Sequence, residues 1–171
     1  MVKRIVGMAF AVTAGSLAIC SSSYAELPKV SHVGSDASPI ASYVVVPNGY
    51  ETVYLSGGGG GIPLPPGSPP GTTPPDPGNT EAQADRALAS IKKKLEDMGM
   101  GLGDIVFMKC YLGPDPSTGK NDAAGWNTAF KRYFGTAAQP NKPARTTIGV
   151  SFGTGAKNVI EIEAVAVRAP K

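Results

Sequence analysis

Hydrophobic residues recur at every second position in several short segments of the chain, which is the period of a β-strand. This alternation predicts strands at residues 51–56, 104–112 and 159–168. The β-branched apolar run at residues 43–46 is also predicted to be a strand, as are residues 144–150, which follow two prolines. Turn-forming residues at 47–49 separate the first two strands, so these are expected to pair as an antiparallel hairpin.

Two other segments show the three- and four-residue spacing of an amphipathic helix. The first begins at a capping box formed by Asn79, Thr80 and Gln83. Its apolar stripe consists of Ala84, Leu88, Ile91, Leu95 and Met98. The second helix covers residues 122–134, and most of its aromatic side chains are expected in the core. The order of elements therefore predicts an α+β fold in which one mixed sheet carries two helices on one face.

The last predicted strand indicates how the second face of the sheet is used. One set of alternating positions is purely apolar, while the other set combines Glu161 and Glu163 with valines. An apolar face with embedded carboxylates is not typical of a surface that meets only solvent. Because no element of the chain remains to cover this face, we expect a subunit contact or a cleft there, and hence an oligomer.

Residues 57–79 interrupt these patterns. Five successive glycines occupy 57–61, and eight prolines follow before Asn79. This composition predicts a mobile or polyproline-like loop without helix or sheet, either a tolerated insertion or the rim of a cleft. A phosphate-binding loop is disfavoured because no Gly-Lys-Ser/Thr sequence follows and prolines lack amide donors.

The first 25 residues have the layout of a secretory signal peptide. Lys3 and Arg4 precede an uncharged apolar run, and a small-x-small cleavage site ends at Ala25. We therefore expect export to the periplasm or out of the cell, with no membrane attachment after cleavage. Residues 26–38 are predicted to be a flexible arm, and residues 39–171 a single domain that contains the Gly/Pro-rich loop.

Composition narrows the chemistry further. The 171 residues include two cysteines and one histidine, too few for a disulfide framework or a multi-ligand metal site. Removal of residues 1–25 leaves 14 basic and 13 acidic residues, a balance that does not favour nucleic-acid binding. Cys110 falls on the apolar side of its strand and is expected to be buried and unreactive. His32 lies in the predicted arm and is expected to be a solvated surface residue.

Arg145, Glu161 and Glu163 remain as candidates for chemistry. An arginine binds a small carboxylate through two parallel hydrogen bonds, and a nearby glutamate can orient or deprotonate a water molecule. Alternatively, Arg145 and one glutamate form a structural ion pair. The residue pattern alone leaves both interpretations open.

Several short motifs together resemble the reactive intermediate deaminase (RidA/YjgF) family. They are Ser56-Gly57, Leu95-Glu96-Asp97-Met98-Gly99, Gly103-Asp104-Ile105-Val106, Trp126-Asn127 with Phe130 and Tyr133-Phe134-Gly135, Pro143-Ala144-Arg145-Thr146-Thr147, and Ile160-Glu161-Ile162-Glu163-Ala164. The resemblance extends over residues 43–168, and the motifs occur in the same order as the elements predicted above.

The resemblance implies a chorismate-mutase-like fold, a homotrimer and ligand clefts between subunits. It also implies hydrolysis of reactive enamines and imines, such as 2-aminoacrylate, to 2-keto acids and ammonia without a metal or cofactor. Arg145 matches the arginine that holds the substrate carboxylate, and Glu161 matches the glutamate that positions the attacking water. Ser56, Gly57 and Asn127 match positions that line the cleft.

This chain departs from the family pattern at several positions. Ile40 or Tyr43 stands where the family has the aromatic residue of a Gly-Pro-Tyr motif. Thr147, which we also expect to contact substrate, replaces a cysteine, and Gly58 replaces a glutamine. A non-catalytic protein that binds small carboxylates or other metabolites is therefore the alternative function. Ribonuclease activity, an older description of the family, is disfavoured by the net charge of about +1 after cleavage.

Overall fold

A computed structural model of the chain describes residues 28–152 and 157–170. The strands are β1 (Ser31–Val33), β2 (Tyr43–Val45), β3 (Glu51–Gly59), β4 (Ile105–Leu112), β5 (Ala144–Gly149) and β6 (Ile160–Arg168), and the helices are α1 (Thr80–Asp97) and α2 (Ala123–Tyr133). Within these ranges no helix is long and apolar enough to cross a membrane. The predicted signal peptide, residues 1–25, lies outside the described residues.

Four strands form the main sheet, in the order β3-β6-β4-β5. Neighbouring strands are antiparallel except β4 and β5, which run parallel and are connected through α2. A parallel pair needs such a crossover, because the chain must return to the end of the sheet where the first strand began. The predicted α+β fold, with a mixed sheet and two helices, is confirmed.

The core lies between the helices and one face of the sheet, where both contribute apolar side chains. Four of the five predicted stripe residues of α1 are buried, whereas Met98 is 39% exposed because it caps the end of the helix. Cys110 is buried, as predicted. The apolar positions of β6 that face the core are Ile160, Ile162, Ala164 and Ala166.

The predicted hairpin between residues 43–46 and 51–56 is wrong. Strand β2 pairs instead with β1, so the predicted arm contains a strand at Ser31–Val33. Alternation identifies a strand but not its partner, and the polar sequence of β1 gives no such signal. His32 is half-buried rather than solvated, and its Nδ1 lies 2.9 Å from the carbonyl oxygen of Lys142.

The predicted absence of sheet over residues 57–79 is also wrong at its start. Strand β3 continues to Gly59, with a bulge between Leu55 and Gly58 where it pairs with β6. Glycine keeps both backbone hydrogen-bonding groups, so a glycine run can extend a sheet that a neighbouring strand already holds.

Two hydrogen-bonded turns lie within the proline-rich residues beyond β3. The carbonyl of Pro65 accepts a hydrogen bond from the Ser68 amide at 3.2 Å, and the carbonyl of Pro69 accepts one from the Thr72 amide at 3.1 Å. The third residue of each turn is a glycine with φ near +80°, which follows a proline as in type II turns. We call residues 61–76 the insert.

Candidate functional site

The side chain of Arg145 lies on the helix side of the sheet, against the aromatic residues of α2. Its guanidinium carbon is 5.0 Å from the ring centre of Trp126 and 4.4 Å from that of Phe130. Cations are attracted to aromatic faces at these distances, and rings that are themselves fully buried cannot move away. The two rings therefore fix the plane and position of the guanidinium.

Polar groups of α2 and β5 complete this arrangement. Arg145 Nη2 donates a hydrogen bond to Asn127 Oδ1 at 2.6 Å, and Trp126 Nε1 donates one to Thr147 Oγ1 at 3.1 Å. Three of the predicted site residues, Asn127, Arg145 and Thr147, are thus brought together within one chain. We call these three residues and the two aromatic rings the arginine half-site.

Within the described chain Arg145 does not form the structural ion pair with Glu161 or Glu163 that the alternative interpretation expects. Among the described residues no carboxylate contacts Arg145, and its Nη1 is buried without a hydrogen-bond partner. Burial lowers the pKa of Arg145, because the charged guanidinium loses hydration. A partly buried guanidinium with uncommitted donors is suited to binding a carboxylate or another small anion.

Glu161 lies on the other face of the sheet, because its neighbours Ile160 and Ile162 point into the core. Its side chain packs directly against Gly57. A methyl group added at Gly57 would lie only 2.9 Å from the carboxyl carbon of Glu161, so the absence of a side chain there makes room for the carboxylate. Ser56, the exposed residue before Gly57, belongs to the same region. We call Ser56, Gly57 and Glu161 the glutamate half-site.

The two half-sites do not meet within one chain. Strand β4 separates β5 from β6, and the register places Arg145 opposite Met108 but Glu161 opposite Tyr111. Two strand spacings and three residues correspond to roughly 14 Å between the Arg145 and Glu161 Cα atoms. Their side chains also leave opposite faces of the sheet. The predicted site is therefore divided into two parts.

The sheet face that carries Glu161 is not covered by any helix of the described chain. Tyr54 on this face is 80% exposed, and a groove of about 270 Å³ opens beside it. Its lining residues are Tyr54, Leu55, Ser56, Phe107, Lys109, Glu163, Ala164 and Val165. Tyr111 OH donates to Glu163 Oε2 at 3.3 Å, and partial burial together with this carboxylate raises the pKa of Tyr111. Exposed aromatic and aliphatic side chains on a sheet face indicate a contact surface.

The sequence did not decide between Ile40 and Tyr43 as the residue nearest the site. The amide of Ala41 donates to the carbonyl of Pro143 at 3.1 Å, which holds this segment beside the start of β5. Ile40 packs against the core there, whereas Tyr43 is 55% exposed on β2. Ile40 therefore lies close to the chain segment that leads into Arg145.

Trp126 and Phe130 are functional candidates that the sequence pattern assigned only to the core. Their spacing of four residues on α2, with Asn127 between them, places all three side chains near one side of the helix. The fit of an arginine from β5 against them becomes visible only in the tertiary structure. Within residues 28–152 and 157–170 no group of histidine, cysteine or acidic residues could hold a metal ion.

The fold and the unpaired arginine together define a small α+β protein with a candidate anion site beside its edge strand. The family model described as "Endoribonuclease L-PSP" matches residues 34–168, and the chain belongs to this family, the RidA/YjgF family. The predicted membership is confirmed.

Individual relatives agree with this assignment. A RutC family protein of Pyrococcus abyssi is 36% identical over 92 residues, which are 53% of this chain and 64% of that relative. The chain thus spans slightly less than two thirds of that relative's length. Escherichia coli TdcF, solved with bound serine, is 27% identical with a TM-score of 0.52, covering 81% of this chain and 99% of TdcF. The Rid family protein YyfB of Yersinia pestis has a TM-score of 0.60 at 18% identity, covering 81% and 98% of the two chains, and shows the fold alone.

Proposed function

We propose that this protein hydrolyses reactive enamines and imines of the 2-aminoacrylate and 2-iminopropionate type to 2-keto acids and ammonia. The observation that carries the proposal is the guanidinium of Arg145, which is held by two aromatic rings and Asn127 yet contacts no carboxylate in residues 28–152 and 157–170. The serine bound by TdcF supports it, since serine has the same α-carboxylate as these substrates.

The chemistry divides between the two half-sites. Arg145 binds the substrate carboxylate and thereby fixes the position of the adjacent C=N carbon. An enamine first takes up a solvent proton at its terminal carbon and becomes the imine. Glu161 accepts a proton from a water molecule whose oxygen forms a bond to the C=N carbon, the π electrons move to nitrogen, and Glu161 passes the proton on to that nitrogen. Collapse of the resulting carbinolamine breaks the C–N bond and releases ammonia, leaving the 2-keto acid. The imine is already electrophilic, so orientation and proton transfer suffice and no metal or cofactor is required.

This mechanism needs the two half-sites to come from neighbouring copies of the chain. Arg145 and Glu161 leave opposite faces of one sheet, and the face with Glu161 is uncovered. In a closed ring each copy would present its arginine half-site to one neighbour and its glutamate half-site to the other. We propose a homotrimer of this kind, with the small-molecule ligand bound in the clefts between subunits.

The test is turnover by the mature chain, residues 26–171. An amino-acid oxidase generates imines from a panel of amino acids, and semicarbazide traps whatever imine the protein has not hydrolysed. We expect the wild-type chain to reduce trapping and Arg145→Ala to abolish this effect. Arg132→Ala is the matched control, because the half-exposed Arg132 side chain binds Glu81 and Asp85, which belong to neither half-site. Full turnover by Arg145→Ala would refute the assigned role.

The shared site is tested by combining two inactive variants. Arg145→Ala and Glu161→Gln are refolded together in equal amounts, so that some clefts receive an intact arginine and an intact glutamate from different copies. Random mixing in a ring of identical heterologous contacts restores about a quarter of the wild-type activity. A site formed within one chain would recover none.

A protein that only binds carboxylates is the second candidate, because the arginine half-site is complete in one chain whereas Glu161 lies elsewhere. In that case serine or pyruvate would raise the melting temperature of the wild type but not of Arg145→Ala, and no imine would be hydrolysed.

We also propose export with cleavage after Ala25. Mass spectrometry of the protein recovered from periplasm and medium would show whether the chain begins at Glu26.

A further inference from the structure

The glutamate half-site consists of backbone more than of side chains, which raises the question of what holds it in place. Residues 57–61 are all glycine, and glycine has the largest conformational freedom of any residue. Two side chains of α1, Gln83 and Arg86, reach the backbone around this run. They are three residues apart and lie on the same side of the helix. We call these two side chains the collar.

Gln83 is fully buried and connects α1 to the beginning of β6. Its Nε2 donates to the carbonyls of Gly78 at 2.8 Å and Lys157 at 3.1 Å, and its Oε1 accepts from the amide of Val159 at 2.9 Å. Gln83 therefore does not complete the predicted capping box, and the helix is capped by the Asn79 side chain, which accepts from the Ala82 amide. The position of Val159 matters because Glu161 follows two residues later.

Arg86 connects the two ends of the insert. Its Nε donates to the carbonyl of Gly60 at 2.8 Å, and its Nη2 donates to the carbonyl of Pro77. Gly60 is buried against α1 so closely that any side chain there would collide with the backbone of Gln83. The guanidinium of Arg86 thus links Gly60 and Pro77, the residues on either side of the insert, and holds the glycine run against α1.

The backbone held by the collar is the backbone that contacts Glu161. Gly59 is the cross-strand partner of Glu161 in the β3–β6 pair, and Gly57 packs against its carboxylate. Arg86 fixes the residue directly after Gly59, and Gln83 fixes the residue two before Glu161. Both strands that carry the glutamate half-site are therefore attached to the same helix, within one turn of each other.

We infer that Gln83 and Arg86 are positioning residues for Glu161, and that they separate the glutamate half-site from movements of the insert. The inference rests on the proposed function, in which Glu161 acts on the attacking water. The carboxylate of the substrate is held elsewhere, by Arg145, so loosening the collar disturbs the chemical step and leaves substrate binding almost intact.

The test is Arg86→Met in the mature oligomer, with Arg132→Met as the matched control. Arg132 also links helix residues through charged hydrogen bonds but has no contact with the glycine run. We expect kcat of Arg86→Met to fall about tenfold with KM within about twofold of wild type, because a small misplacement of a catalytic group costs rate rather than affinity. The kcat of Arg86→Lys should lie between those of Arg86→Met and the wild type, because a lysine can donate to one of the two carbonyls.

Hydrogen exchange supplies a readout that does not depend on turnover. The amides of residues 57–60 should exchange faster in Arg86→Met than in wild type or Arg132→Met. An unchanged kcat, or equal losses of kcat and melting temperature in both arginine variants, would overturn the inference. Absence of turnover in the wild type would instead refute the proposed function, while the exchange rates would still show whether the collar holds the glycine run.

A second variant keeps the test independent of Arg86. Replacing residues 63–75 by a short Gly-Ser linker leaves Gly60 and Pro77 in place. If the collar isolates the half-site from the insert, kcat changes by no more than about twofold. A fall in kcat as large as that of Arg86→Met would show that the insert itself, and not the hydrogen bonds of Arg86 to Gly60 and Pro77, acts on Glu161.

Discussion

The two half-sites are built by opposite means. The arginine half-site is defined by the side chains that surround it, since two buried rings and an amide oxygen determine where the guanidinium of Arg145 lies. The glutamate half-site is defined by missing side chains, since Gly57 leaves the space that the carboxylate of Glu161 occupies. One half depends on packing inside the core, and the other depends on the path of the backbone. Substitutions should therefore act on the two halves in different ways.

Arg145→Met should have the largest effect and separates activity from stability. We expect kcat/KM for imine hydrolysis to fall about a thousandfold, because the donors that hold the carboxylate are lost. The melting temperature should not fall, because methionine keeps the contact with Trp126 and removes a poorly solvated charge. Calorimetry and the trapping assay on the same sample measure both quantities. A melting temperature several degrees lower would show that Arg145 is primarily structural.

Glu161→Gln should lower kcat about a hundredfold, since an amide cannot accept the proton of the attacking water. Binding of serine or pyruvate, measured by calorimetric titration, should be nearly unchanged because Arg145 is intact. Glu163→Gln is the matched control on the same strand, where the amide oxygen can still accept the hydrogen bond of Tyr111. Equal losses in both variants would argue for a general effect on the uncovered sheet face.

Gly57→Ala should reduce kcat about tenfold while the fold is retained, because the flexible glutamate side chain can move away from the added methyl group. Gly58→Ala tests whether this depends on position. A methyl group at Gly58 meets only the end of the Lys94 side chain, at 4.0 Å, so we expect activity close to wild type. The measurement is kcat for imine hydrolysis by Gly57→Ala and Gly58→Ala. Equal kcat values would contradict the role assigned to Gly57.

Asp115→Asn should have the smallest effect on turnover and a clear effect on stability. The Asp115 carboxylate accepts hydrogen bonds from the Thr80 amide and hydroxyl at 2.6 and 2.8 Å and so holds the start of α1. Burial alone would raise the pKa of Asp115, but the hydrogen bonds from Ser117 and Thr80 outweigh it and lower the pKa to about 2. We expect the free energy of unfolding at pH 7 to drop by about 1–2 kcal/mol.

The stability that the Asp115 carboxylate contributes depends on pH. The pKa of Asp115 is lower in the folded chain than the ordinary value of 3.8, so the carboxylate stabilises the fold above about pH 4. That contribution is lost as the pH falls from about 4 to about 2, and the wild type and Asp115→Asn should converge there. Asp76→Asn, in the exposed insert, is the control, and its free energy of unfolding at pH 7 should stay close to that of the wild type. A constant difference down to pH 2 would contradict the assignment.

The sequence predicted the elements of this fold better than their arrangement. The stripe of α1, the buried side of β6 and the burial of Cys110 follow from periodicity, because each reports one face of one element. Pairing is a property of two segments, and the partner of β2 could not be read from either one. The bulge at Leu55 and Gly58 and the extension of β3 into glycine also depend on the neighbouring strand β6.

The candidate site shows the same limit. Arg145, Glu161 and Asn127 were identified by their motifs, but alternation does not state how many strands lie between β5 and β6. The separation of Arg145 from Glu161 therefore became apparent only in the structure. Gln83 is the clearest case of a residue whose role was misjudged, because its local position suits a helix cap while its amide reaches residues more than seventy positions away.

The burial of Cys110 has a consequence for how the protein responds to oxidants. Burial raises the pKa of this thiol to about 12, so the thiol stays protonated at pH 7 and does not supply the reactive thiolate. The side chain of Thr147 ends in a hydroxyl group, which is not oxidised by peroxide or disulfides. Neither half-site contains sulfur, and the thiol in the core is inert. Proposed hydrolysis at this site would therefore need no reductant and would continue unchanged in oxidising surroundings.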